Sequence, residues 1–331
     1  MKISRLLVAL LATLALLAGA CGDDDDAGVA STGDDTADET ATETEANGDE
    51  GTDAGDSPAI RIGAQDFGES AILAEIYGQV LEANGYEVEQ VSVGGFRDVL
   101  LAAFDNGEVN FSPEYAASML EFLNGGEGEA TSDADETVDL LQAELEGMGL
   151  VALEPAPAID TNAFVVTQET SDEQGLTALS DLPADGAGLS LGAPQDCETN
   201  PFCMPGLERV YGVDLSGDYV PLESSLVADA LAAGEVQVGV LFSTSGRIAD
   251  EGWVLLKDDE GMLAADNVTP VLSQDLLDAY GQDLEDLIDE ISAAIDTDTL
   301  TELNKRYDID REDADDIAAD FIEQAGLATE G

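Results

Sequence analysis

Three cysteines, no histidine, and 73 carboxylates against 10 lysines and arginines bound the chemistry open to this 331-residue chain. Without histidine the commonest general base and the commonest imidazole metal ligand are both missing. No Ser-His-Asp or Cys-His set can be assembled, and no glycine-rich phosphate loop occurs. Paired carboxylates could serve as acid and base, but no spacing marks one pair among so many. The acidic run from Asp308 to Asp316 lacks the central Gly and the closing Glu of a calcium loop. A zinc ion on two cysteines would have to recruit carboxylates, which is not a usual structural set. The chain therefore reads as a protein that binds rather than reacts: not an enzyme, with no cofactor and no metal. Cys197 and Cys203 are spaced C-x5-C. In an oxidising compartment that pair reads as a local disulfide.

The amino terminus supplies the compartment. Lys2 and Arg5 precede an apolar run from Leu6 to Leu17, which ends in Ala18-Gly19-Ala20-Cys21. A membrane span needs about 20 apolar residues. Residues 1–20 are shorter than that and carry the small-residue exit of a secretory signal peptide. The ending resembles a lipobox, which implies cleavage before Cys21 and diacylation of its thiol. Two acyl chains suffice for stable membrane attachment. Residues 22–57 hold almost no large apolar side chain and read as an extended acidic tether, 21–58 with the lipidated Cys. The run Asp23 to Asp26 reads as solvated charge. Only 14 of the 73 acids fall within 22–57, so the remainder is itself strongly acidic. The net charge of −63 excludes nucleic acid as a partner, because phosphate contacts need a basic surface. Such self-repulsion is tolerated in a saline medium, or it is simply an acidic surface.

Beyond the tether the chain has length for two lobes. Ile60 and Ile62 alternate in a strand over 59–63. Ile72, Leu73, Ile76, Val80 and Leu81 recur at helical spacing over 69–84, closed by Asn84-Gly85. Strands over 88–93 and 109–111 alternate with helices over 97–104 and from Tyr115 to Leu123. Further helices are expected over 137–148, 205–211, 227–233, 276–295, 299–307 and 312–325, with Gly281 a candidate interruption. Further strands are expected over 163–167, 189–192 and 236–242. Alternating strands and helices predict an α/β fold.

Several segments then carry a resemblance. They are Ile62 to Glu69, Gly95 to Val99, Gly107 to Tyr115 (with Pro113-Glu114-Tyr115), Pro205-Gly206-Leu207 with Val210-Tyr211-Gly212, Phe242 to Ile248, Leu256 to Asp259, and Thr269-Pro270-Val271. In this order the chain resembles the substrate-binding proteins of glycine betaine/osmoprotectant (quaternary-ammonium) ABC transporters. The resemblance implies a two-lobe, type II periplasmic-binding-protein-like clamshell. Lobe one would span 59–159 plus 263–331 and lobe two 160–262, with the solute held between them and closure about a hinge. It implies an extracytoplasmic, lipid-anchored binding protein whose partners are the membrane, an ABC permease and an ATPase. A ligand-presenting receptor for a membrane sensor is the alternative role for such a clamshell.

The resemblance also implies a site. A quaternary ammonium has no donor hydrogen and is held by aromatic faces, each contributing roughly 0.5–2 kcal/mol. A betaine carboxylate needs donors. Tyr115 keeps a family ring, Ser118 replaces a hydroxyl donor, and Phe242 keeps an aromatic face. Asn162 and Asp266 fall where two further cage tyrosines are implied. Asn200 falls at the implied carboxylate-binding Arg, and Gln65 near the implied Lys. Asp66, with Asp266, would suit a cation, whereas Asn162, Asn200 and Gln65 would suit a neutral polar or zwitterionic solute. Other readings stand beside these: Tyr115 as a packing residue at a helix start, Asp66 as a helix cap, Phe242 as core, Asp266 as plain surface, and Trp253 as packing.

Overall fold

The protein is described here by a computed structural model covering residues 58–328. The expected signal peptide, the expected lipidation site Cys21 and the expected tether up to residue 57 lie outside the described residues. Ten strands occur among them: β1 (Ile60–Ala64), β2 (Val88–Ser92), β3 (Phe111–Tyr115), β4 (Leu150–Ala152), β5 (Asn162–Val166), β6 (Leu191–Ala193), β7 (Tyr219–Pro221), β8 (Val238–Phe242), β9 (Val254–Leu255) and β10 (Val268–Ser273). They form two five-stranded sheets with orders β2-β1-β3-β10-β4 and β7-β6-β8-β5-β9. The two sheets share one plan. Each has a parallel trio, β2-β1-β3 or β7-β6-β8, then an antiparallel strand and a short edge strand. The antiparallel members, β10 and β5, are the strands that follow the two crossings of the chain between sheets. The crossings touch each other through a single antiparallel bridge between Ile159 and Asn267.

Local sequence explains the first sheet. Helix Gly68–Ala83 buries Ile72, Leu73, Ile76, Val80 and Leu81, the spacing expected of one apolar face. They pack with Ile60, Ile62 and Phe111 of the sheet and with Ile288, Ile291, Ile317 and Phe321 from helices Gln282–Ala293 and Ala314–Ala325. Full burial of each such side chain contributes roughly 1.5–3 kcal/mol. Tyr77 is fully buried inside this layer and pairs its hydroxyl with Ser292 at 2.8 Å, which removes the penalty of an unpaired buried hydroxyl. The second sheet has its own core, with Phe164, Val166, Leu191, Leu207, Val238 and Val240 packed around the Cys197–Cys203 disulfide.

The expected helix over 276–295 is broken at Gly281, whose φ of 69° suits glycine and ends helix Gln274–Tyr280. Three points differ from the expectations. Tyr115 does not begin a helix; it is the last residue of β3, and the helix runs Ala116–Asn124. The buried pattern Phe111–Tyr115 is apolar and polar by turns, which hides a strand whose polar members find partners inside the protein. The segment 205–211 is helical as expected, but of mixed type, α-helical over Met204–Gly206 and π-helical over Leu207–Tyr211. Strand β10 is absent from the periodicity reading, because Pro270 within it argues locally against a strand. It nevertheless pairs with β3 and β4 on both sides.

Candidate functional site

The ends of β1 and β3, the first turn of helix Gly68–Ala83 and the two crossing segments meet where the sheets face each other. Five acids and bases gather there. Glu114, at the end of β3, has a fully buried side chain and is held by Arg97 at 2.7 Å. Arg97 opens helix Arg97–Asp105; it donates through Nε and Nη2 to that carboxylate and through Nη1 to the carbonyl of Ser118 at 3.1 Å. The Nε2 of Gln65 donates to Glu114 at 3.1 Å. Asp266 accepts from the backbone N–H of Ser118 at 2.9 Å and from its hydroxyl. Gln65, Ser118 and Asp266, each inferred from sequence, thus join one hydrogen-bonded chain through Glu114 and Arg97.

A second branch is centred on Glu69. Its carboxylate accepts from the Tyr115 hydroxyl at 2.5 Å, from the Thr244 hydroxyl at 2.7 Å and from the Asn304 amide. Thr244 follows β8 of the second sheet, while Tyr115 and Asn304 belong with the first. Glu69 therefore ties the two halves together. Asp160, on the first crossing segment, accepts from the Thr244 backbone N–H at 3.3 Å and from the Ser243 hydroxyl at 3.4 Å. Both bonds are long, and no cation pairs with it.

Burial governs the protonation of these groups. It raises Glu69, although the Tyr115, Asn304 and Thr244 bonds oppose the shift. Asp160 is pushed well above the carboxylate range, by burial first and then by the Glu69 charge. Asp266 is raised to about 6 by burial, against the bonds from Ser118. The tyrosine hydroxyl of Tyr115 is likewise raised by burial and by Glu69. Low-dielectric surroundings disfavour charge unless a partner is supplied. Here the guanidinium of Arg97 acts on Glu114, Asp266 and Tyr115, and it is committed to Glu114.

The aromatic side chains are arranged more sparsely. Phe67 stands 6.2 Å from Tyr115, centroid to centroid, with the planes inclined at 36°. Sequence reasoning passes over Phe67, although it lies inside the quoted Ile62–Glu69 segment. Phe242 ends β8 and is 54% exposed, so it is not core. Asp66 is exposed, and the N-cap of the following helix is Phe67 without a side-chain bond, so the capping reading of Asp66 is corrected. Asn162 pairs in register with Phe242 and donates to the Phe202 carbonyl at 3.3 Å. Asn200 accepts from the Phe202 N–H at 2.9 Å within the disulfide loop. Asp266 is 7% exposed, which corrects the plain-surface reading. Trp253 packs against the second half with the Arg247 guanidinium 5.7 Å above its ring. Glu69, Arg97, Glu114, Asp160, Thr244 and Asn304 are the members that sequence reasoning missed. Glu69 sits in a quoted segment, whereas Asp160 lies in a stretch with no pattern.

The substrate binding domain of ABC-type glycine betaine transport systems matches residues 58–324. A glycine betaine-binding protein of Escherichia coli, YehZ, is 26% identical over 277 residues, spanning 81% of this chain and 90% of the relative. A glycine-betaine-binding protein of Pseudomonas aeruginosa is 27% identical over 282 residues, spanning 82% and 89%. A solved structure described as a glycine betaine/carnitine/choline ABC transporter superposes with a TM-score of 0.72 at 23% identity, covering 82% of this chain and all of the other. The fold is that of the type II periplasmic binding proteins.

Proposed function

This chain belongs to the substrate-binding family of ABC-type glycine betaine transport systems, and we propose that its own solute is a small organic cation or zwitterion of the quaternary-ammonium class. Proteins of this family and fold bind solutes for ABC importers and are not enzymes. Two lobes, 59–159 with 263–331 and 160–262, would close on the solute and present it to a permease coupled to an ATPase. The chain would work outside the cytoplasm, held by lipid on Cys21. No helix among the described residues is long and apolar enough to cross a membrane.

One observation carries the solute class. The site holds a surplus of carboxylates beside the Phe67 and Tyr115 rings, while its one guanidinium is already bound to Glu114. Aromatic faces and acids suit a cationic head. A carboxylate on the solute has fewer donors waiting for it, which favours a cation such as choline over glycine betaine.

A thermal-shift panel tests this reading. Full-length chain in detergent is heated with choline, glycine betaine, carnitine, proline betaine, ectoine, ergothioneine or neutral amino acids, at low and high salt. A ligand of the native state raises the melting temperature by mass action. The expected result is a rise with a quaternary ammonium that Tyr115→Ala removes. A rise only with a neutral solute overturns the cation reading and leaves the fold untouched.

A further inference from the structure

Among the carboxylates at the boundary of the two halves, Asp160 is singular. Glu69 has three side-chain donors. Glu114 has Arg97 and Gln65, and Asp266 has both donors of Ser118 with Arg97 nearby. Asp160 has two long hydrogen bonds and no cation. It is also only half-buried, so part of its surface remains accessible. The charged and titratable groups that face it are Glu69 from helix Gly68–Ala83, Asp266 from the second crossing and Tyr115 from the end of β3. From helix Thr297–Asp308, Asn304 donates to Glu69 and the Asp308 charge acts on that carboxylate. None of the charges that act on it most strongly is positive.

We propose that Asp160 is the counter-charge for the cationic head of the solute, and that binding displaces a proton from it into solvent. This rests on the reading that the solute carries an organic cation. A carboxyl group in a site ringed by like charge keeps its proton while the site is empty. A permanent cation placed against it supplies the missing partner. Asp160 then ionises and its proton leaves, with no covalent bond formed to the solute. The same exchange discriminates against neutral solutes, which cannot compensate the charge. Asp160 becomes a specificity-determining residue that the tyrosine-cage pattern does not include.

Isothermal titration of the full-length chain with choline, in buffers of different ionisation enthalpy, counts the protons released. The expected count approaches one per choline at a pH below the pKa of the empty site and above that of the filled site. Choline affinity should rise with pH there, by up to about tenfold per unit. In Asp160→Asn the release should vanish, the pH slope should flatten and choline affinity should fall at least about tenfold. Choline binding without proton release in the wild-type chain overturns the proposal and needs no variant. So does an unchanged proton count in Asp160→Asn that melts like the parent. If neither choline nor any other quaternary ammonium binds at any pH, the cation reading itself fails, and this proposal with it.

Discussion

Asp160 donates its backbone N–H to the backbone carbonyl of Asp266 at 3.0 Å. Residues 106 positions apart in sequence are thus neighbours on the two strands of chain that join the halves. Their side chains repel, and the Asp160 carboxyl is raised partly for that reason.

Burial of Asp266 makes stability depend on pH in a definite direction. Asp266 titrates near 6 when folded and near 3.9 when unfolded. Between those values the folded state holds a proton that the unfolded chain has lost, so stability falls as pH rises through that window. The full penalty is present above it. Asp266→Asn should therefore gain on the parent by about 2–3 kcal/mol as pH rises from about 4 to about 7. Urea unfolding of both proteins across that range checks it; a constant difference would show that Asp266 is not raised.

The Arg97–Glu114 pair is buried and should resist single substitution. Arg97→Met leaves the Glu114 carboxylate without its cation and should cost about 3–5 kcal/mol. Adding Glu114→Gln should recover much of that loss. A double-mutant cycle by chemical denaturation gives the coupling, and additive losses would mean the pair is not a unit.

Gly246 opens the short helix Gly246–Asp250, where a Cβ would lie 2.6 Å from the Lys305 Cα. Backbone cannot yield as a side-chain tip can. Gly246→Ala should push that helix off Thr297–Asp308, disturb the Thr244–Glu69–Asn304 contacts and cost about 1–3 kcal/mol. A melting temperature within error of the parent would contradict this close approach.

The Cys197–Cys203 disulfide closes a short loop whose Phe202 packs against the core cluster of Met119, Leu120 and Leu141. Loop-closure entropy for so few residues is worth about 2 kcal/mol. Replacing both cysteines by serine should lower stability by about that amount, with solute affinity falling because Phe202 bridges the halves. Unchanged calorimetric melting would indicate that the unfolded state gains no freedom.

A chain with net charge −63 should be stabilised by salt. Raising NaCl from about 0.05 to about 1 M shortens the screening length from beyond 10 Å to about 3 Å. The melting temperature should rise over that range by scanning calorimetry. A fall would mean that specific ion pairs outweigh the general repulsion.

Much of the fold was legible because its signals are local. The face of helix Gly68–Ala83 is written in residues three and four apart, and the break at Gly281 in a single residue type. Strand β10 was not, since its Pro270 reads as a breaker and its pairing with β3 lies more than 150 positions away. Of the site, Tyr115, Ser118, Gln65 and Asp266 could be inferred through family resemblance. Glu69 and Asp160 could not be distinguished from dozens of other acids.

Sequence by itself determined the acidity, the absence of histidine chemistry, the alternation of strand and helix, and the short span between Cys197 and Cys203. Each is a property of composition or of near neighbours. Only the tertiary structure decided which carboxylates lose water and which gain partners. Glu69 meets Thr244 across 175 positions and Asn304 across 235, and Asp160 meets Asp266 where the chain crosses twice. Protonation follows burial and facing charge, and both are set by those distant contacts rather than by the residues beside each acid in the chain.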